Sequence, residues 1–136
     1  MEIFLHNFAN IETLREGWPI LASGLWMTFK LVLVIVPLSI VAGLVVAMLQ
    51  GLGLRWLNAI LIVYVDLLRA FPPLVLLILV FYGLPFLGLR LGEFQAAVLT
   101  LVVNGASYYG EIFRAGIEAV PQGQRDAARS TKKGWL

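Results

Sequence analysis

LVLVIVPLSIVAGLVVAMLQGLGL, residues 31–54, runs for 24 positions without a charged side chain. At about 1.5 Å per residue, a helix of that length reaches roughly 36 Å, enough to cross about 30 Å of hydrocarbon with some tilt. Pro37 and Gly43 interrupt the run, but neighbouring helices in a membrane can satisfy the backbone groups they free. Two further uncharged stretches follow, 20 residues from Ala70 to Leu89 and 17 from Phe94 to Gly110. The whole chain of 136 residues is 60% apolar and 13% charged, against about a quarter charged in soluble domains. An all-α integral membrane protein is expected, one domain over 1–136 with spans at 30–54, 70–90 and 91–113.

Other protein classes lose support on composition. There is no cysteine, which removes disulfides, thiolate metal sites and cysteine nucleophiles. His6, the sole histidine, has no second ligand near it, so neither a metal site nor a catalytic residue is expected. Nucleophile arrangements and phosphate-cradling loops are also missing, and no enzymatic activity is expected of the chain. The net charge of +2 suits loops beside anionic lipid, not a nucleic-acid surface. Met1 is followed by Glu2, and the long apolar run begins only after Lys30. A cleaved signal is therefore not expected, and the first span should stay in the protein.

Between the runs lie the boundary signals. Residues 11–27, IETLREGWPILASGLWM, mix tryptophans with charges as an amphipathic interfacial helix does, and Pro19 is expected to break it. QGLGLRW, residues 50–56, reads as a turn. Residues 56–69 are apolar but short, with Asp66 and Arg69 on one helix face, so they lie at the interface or begin the second span obliquely. RAFPPL, residues 69–74, lacks two backbone donors and predicts a kink or a fresh helix start at Pro72 and Pro73. YGLPFLGLRLGE, residues 82–93, closes that span with a polar turn. After Gly110 come Arg114, Arg125, Arg129, Lys132 and Lys133, whereas residues 1–29 hold only Arg15 against Glu2, Glu12 and Glu16. Basic residues favour the cytoplasm, so the tail is expected inside and the N-terminal segment outside.

Steps of four and three through the third span collect Glu93, Ala97, Thr100, Asn104, Ser107, Glu111, Arg114 and Glu118 on one face, all polar or small. Polar groups at membrane depth must face protein or water. Two readings stand: hydrogen bonding between helices, or a translocation path lined by Thr100, Asn104, Ser107 and Glu111.

Beyond this span, Pro121 stops the helix, Gly123 permits a turn, and Gln124 to Lys132 fit a short cytoplasmic helix whose Ala127 and Ala128 allow close approach by a partner. Asp126 is placed in its first turn, where the helix dipole favours an acid. An ordinary juxtamembrane segment held by anionic lipid is the other reading.

NGASYYGEIFRAGIEAVPQGQRDAAR, residues 104–129, together with YVDLLRAFPPLVLL, residues 64–77, and FYGLP, residues 81–85, resembles the polar amino acid permeases of ATP-binding cassette importers. The resemblance runs from about Gly24 onward. It implies the N-terminal part of the type I importer permease fold and a multi-pass place in the bacterial inner membrane. It also implies a coupling segment, 119–136, that docks on a cytoplasmic ATPase through Gly123, Asp126, Ala127 and Ala128, with Asp126 where the family has glutamate. The implied partners are a second permease subunit forming a homo- or heterodimer, two ATPase subunits and an extracytoplasmic amino-acid-binding protein. ATP is used by those partners, and this chain is expected to bind no cofactor or metal. The family pattern has a glycine where this chain has Lys132, and such permeases continue through two more spans, so a truncated or interrupted form is expected. A non-transporting helical membrane scaffold or regulatory remnant is the alternative.

Overall fold

Apolar residues occupy every side of the first helix, α1 (Ile11–Gly51), and that is the pattern of a helix meant for lipid and other helices. The computed structural model describes residues 11–132. Readings placed on Glu2, His6, Lys133 and Gly134 fall outside these, as do those resting on the side chains of Glu12, Arg129 and Lys132. Four more helices follow: α2 (Arg55–Ala70), α3 (Pro73–Gly83), α4 (Glu93–Glu118) and α5 (Gln122–Lys132), with a 3-10 turn at Leu84–Leu87. The described residues contain no strand.

The break expected near Pro19 does not occur, and α1 passes through both Pro19 and Pro37 without interruption. Each proline removes only one backbone donor, and the helix-compatible residues on both sides outweigh that loss. Among the described residues, no separate interfacial helix precedes the first span. α1 also ends at Gly51, three residues short of the expected boundary, where the amides of Leu52 and Gly53 donate to the carbonyls of Leu49 (3.2 Å) and Gln50 (3.3 Å).

The chain divides into two compact units at Val34 and Ile35. In the first, Trp26 stacks on Phe29 with ring centroids 5.9 Å apart, and Lys30 Nζ lies 5.9 Å over the Trp26 ring. In the second, the end of α1 packs on α4 through small residues. A methyl group added at Gly43 would sit 2.8 Å from the Gly110 amide nitrogen, and one added at Gly105 would sit 2.9 Å from Ser39 Cβ. Ser39, Ala47, Ala106 and Ser107 are buried in this seam. Close backbone approach of this kind is how helices associate without a hydrophobic driving force in lipid.

α2 and α3 both pack on α4. They meet at 103°, with Phe71 (φ −98°, ψ 137°) and Pro72 (φ −57°, ψ 138°) extended between them. The kink thus falls where the two prolines predict it, with α3 starting afresh at Pro73. After the 3-10 turn, Gly88 adopts φ +82°, a left-handed conformation that glycine takes without a Cβ penalty.

By length and apolarity α1 qualifies as a span from Arg15 to Gly51, while α2 and α3 qualify only when joined as one bent pair. α4 does not qualify, because its polar face dilutes the apolar residues that the sequence reading grouped as a third span.

Candidate functional site

α4 begins where the Gly92 amide donates to Gln95 Oε1 (3.2 Å), and its acidic Glu93 sits in the first turn, favourable to the helix dipole. From there the polar face divides into two parts. Thr100, Asn104 and Ser107 are 4%, 5% and 0% exposed, so they lie in the packed seam. Thr100 Oγ1 donates to the Ala96 carbonyl (2.7 Å) and Ser107 Oγ to that of Asn104 (2.6 Å). Asn104 Nδ2 crosses to α2 and donates to the Leu68 carbonyl (3.0 Å). Tyr64 Oη, one turn earlier on α2, donates to the Val103 carbonyl (2.7 Å). Both bonds join α2 to α4 at the same level.

Glu111 stands apart from those three residues. Its side chain is 31% exposed and opens onto a cleft of about 530 Å³ between the end of α1, α2, the last turns of α4 and Arg125 of α5. The cleft is lined by three acids and three arginines, Asp66, Glu111 and Glu118 with Arg69, Arg114 and Arg125. Arg114 is the centre of the network. Its Nε donates to Glu111 Oε2 (3.2 Å) and its Nη1 to Glu118 Oε1 (2.7 Å), while Nη2 bonds Glu111 Oε1. These bonds hold the Arg114 guanidinium between the two carboxylates. Arg69, opposite, lies 5.3 Å over the Tyr108 ring, a cation–π contact. Two buried acceptors in the lining, Gln50 Oε1 and Asn58 Oδ1, have no hydrogen-bond partner among the described residues.

The sequence reading places four residues on one path. The structure buries Thr100, Asn104 and Ser107 between helices and leaves Glu111 on the cleft, with Asp66 and Arg69 brought to it from α2. The small-residue seam on α1 is absent from that reading, although Ser39, Gly43 and Ala47 recur at the helical spacing of four.

At the other end of the network, α5 starts after Pro121, whose carbonyl accepts from the amides of Gln124 (3.0 Å) and Arg125 (3.3 Å). Arg125 Nη2 reaches back to the Ile117 carbonyl in the last turn of α4. Gly123, Asp126, Ala127 and Ala128 are all exposed. Because α5 begins at Gln122, Asp126 falls in the second turn and not the first, where the dipole's influence has largely decayed. Among the described residues no group of three or more His, Cys, Asp or Glu side chains could hold a metal.

Comparison with known proteins bears on this arrangement. Residues 36–134 match the family described as "Binding-protein-dependent transport system inner membrane component". The arginine transport system permease protein ArtQ of Bacillus subtilis is 36% identical, over 81% of this chain and 51% of that protein. The L-cystine transport system permease protein TcyB of Bacillus subtilis is 35% identical, over 83% and 48%. A solved crystal structure, described as an amino acid ABC transporter with histidines, superposes with a TM-score of 0.81 at 34% identity, over 90% of this chain and 57% of that one. The chain spans about half the length of the curated relatives it matches.

Proposed function

Given that the chain belongs to the family of binding-protein-dependent transport system inner membrane components, we propose that it is a permease subunit, or the N-terminal part of one, of an ATP-driven importer for polar amino acids. The family is one of transporters, and catalysis is assigned to separate ATPase subunits that bind and use ATP. The chain is read as multi-pass in the bacterial plasma membrane, with α1, the bent α2–α3 pair and α4 crossing and α5 on the cytoplasmic side, where the basic residues lie.

The observation that carries this reading is the order of parts along α4 and α5. A polar helix leads into a charged cleft and then, past Pro121, into an exposed helix bearing Asp126, Ala127 and Ala128. Such a helix offers a partner a low, small-residue surface, and it is tied to α4 by Arg125, so displacement of α5 moves the end of α4. We assign Gly123, Asp126, Ala127 and Ala128 to ATPase docking. Of the path residues, Glu111 is assigned to the water-accessible lining, and Thr100, Asn104 and Ser107 to the wall behind it. The further partners proposed are a second permease subunit and an extracytoplasmic amino-acid-binding protein.

The test is ATP-dependent uptake of labelled arginine, glutamine and cystine into proteoliposomes holding this chain, an ATPase subunit, a partner permease and a loaded binding protein. Uptake of one of these, lost on Ala128→Glu, is the expected result. Absence of uptake for all three, with the complex assembled, would leave a membrane scaffold as the better description.

A further inference from the structure

The bend between α2 and α3 leaves a carbonyl without its helical partner, and one side chain supplies the missing donor. In an unbroken helix the Leu68 carbonyl would accept from the amide of residue 72, but residue 72 is proline and has no N–H. Leu68 is half-buried where α2 lies on α4, and at membrane depth an unsatisfied carbonyl is costly. The Asn104 side-chain amide, 5% exposed, donates to that carbonyl at 3.0 Å. It therefore stands in for the N–H that Pro72 lacks.

We infer that Asn104 is a positioning residue, a clasp that holds the α2–α3 bend at its observed angle by capping the Leu68 carbonyl. The pairing explains why an amide sits on a buried face of α4 otherwise made of Ala, Gly, Ser and Thr. An amide can donate across a helix interface, whereas Thr100 and Ser107 direct their hydroxyls to their own helix. The clasp is also breakable, since a single neutral hydrogen bond contributes modestly. Because Asn104 and Glu111 lie two turns apart on the same continuous helix, motion at the cytoplasmic end of α4 reaches the bend through this bond. The role differs from lining a path, and it requires that Asn104 and Pro72 depend on each other.

That dependence can be measured in the full chain, which has no cysteine of its own. Spin labels at Val63 on α2 and Leu79 on α3, both exposed, report the bend as a distance distribution in lipid nanodiscs. Asn104→Leu, close in size and without a donor, is expected to broaden the distribution, and Asn104→Ala to do the same. Pro72→Ala restores an amide to position 72 and frees Phe71 from its pre-proline restriction. In that background Asn104→Leu is expected to change nothing further. The clasp is overturned if Asn104→Leu leaves the distribution as narrow as in the native chain. It is equally overturned if Asn104→Leu broadens the distribution as much in the Pro72→Ala background as in the native one, since the amide would then serve packing alone. Should Asn104→Leu prevent insertion, Pro72→Ala decides the matter: rescue of insertion in the double variant supports the clasp, and failure to rescue rejects it.

Discussion

Gly43 is a residue whose identity is set by another helix. Any larger side chain there meets the Gly110 backbone, and backbone cannot give way as a flexible side chain can. Gly43→Leu is expected to lower stability by about 1–3 kcal/mol through overpacking, read as a fall in the thermal midpoint in detergent. Gly24→Leu, at a position where a Cβ would meet nothing within 4 Å, is expected to leave the midpoint nearly unchanged. Equal effects at the two sites would mean the α1–α4 seam is looser than described. At this scale the sequence is a partial guide. A glycine inside an apolar run is legible as tolerated, but which surface it meets depends on a contact between residues more than 60 positions apart in the chain. Asn104 carries the same lesson: its place on a polar stripe is readable, and its partner on α2 is not, because that partner is a main-chain carbonyl without a sequence signature.

Among the elements, α2 with α3 and α5 are most legible where proline sets the boundary. Pro72, Pro73 and Pro121 act through missing donors and fixed φ, effects that do not need tertiary structure. Pro19 and Pro37 have the same chemistry, yet α1 runs through both, since a long apolar helix absorbs one lost bond. The polar face of α4 is legible as a periodicity of four and three. Which part of it meets water is not, because that depends on where α1 and α2 cover it. A scan of single cysteines along residues 98–111 in the membrane is expected to show Glu111 labelled by an impermeant reagent and Thr100, Asn104 and Ser107 protected. Labelling that recurs at all four would place the face on an aqueous path along its whole length, as the sequence pattern by itself allows.

For the whole molecule, the fold class follows from composition and run lengths, and belonging to the transport family rests on the match over residues 36–134. The proposed role in an importer turns on whether α5 is a docking element. Its exposed Asp126, Ala127 and Ala128, its start at Gln122 and its tie to α4 through Arg125 make it a low-profile surface joined to the charged cleft. The most direct measurement is the affinity of a purified ATPase subunit from a polar amino acid importer for this chain in nanodiscs, native against Ala128→Glu. Saturable binding is predicted for the native chain, weakened at least about tenfold, or ~1.4 kcal/mol, by the substitution, since it forces bulk and an unpaired charge into the contact. Equal affinity for the two chains, or no binding by the native one, would contradict the account.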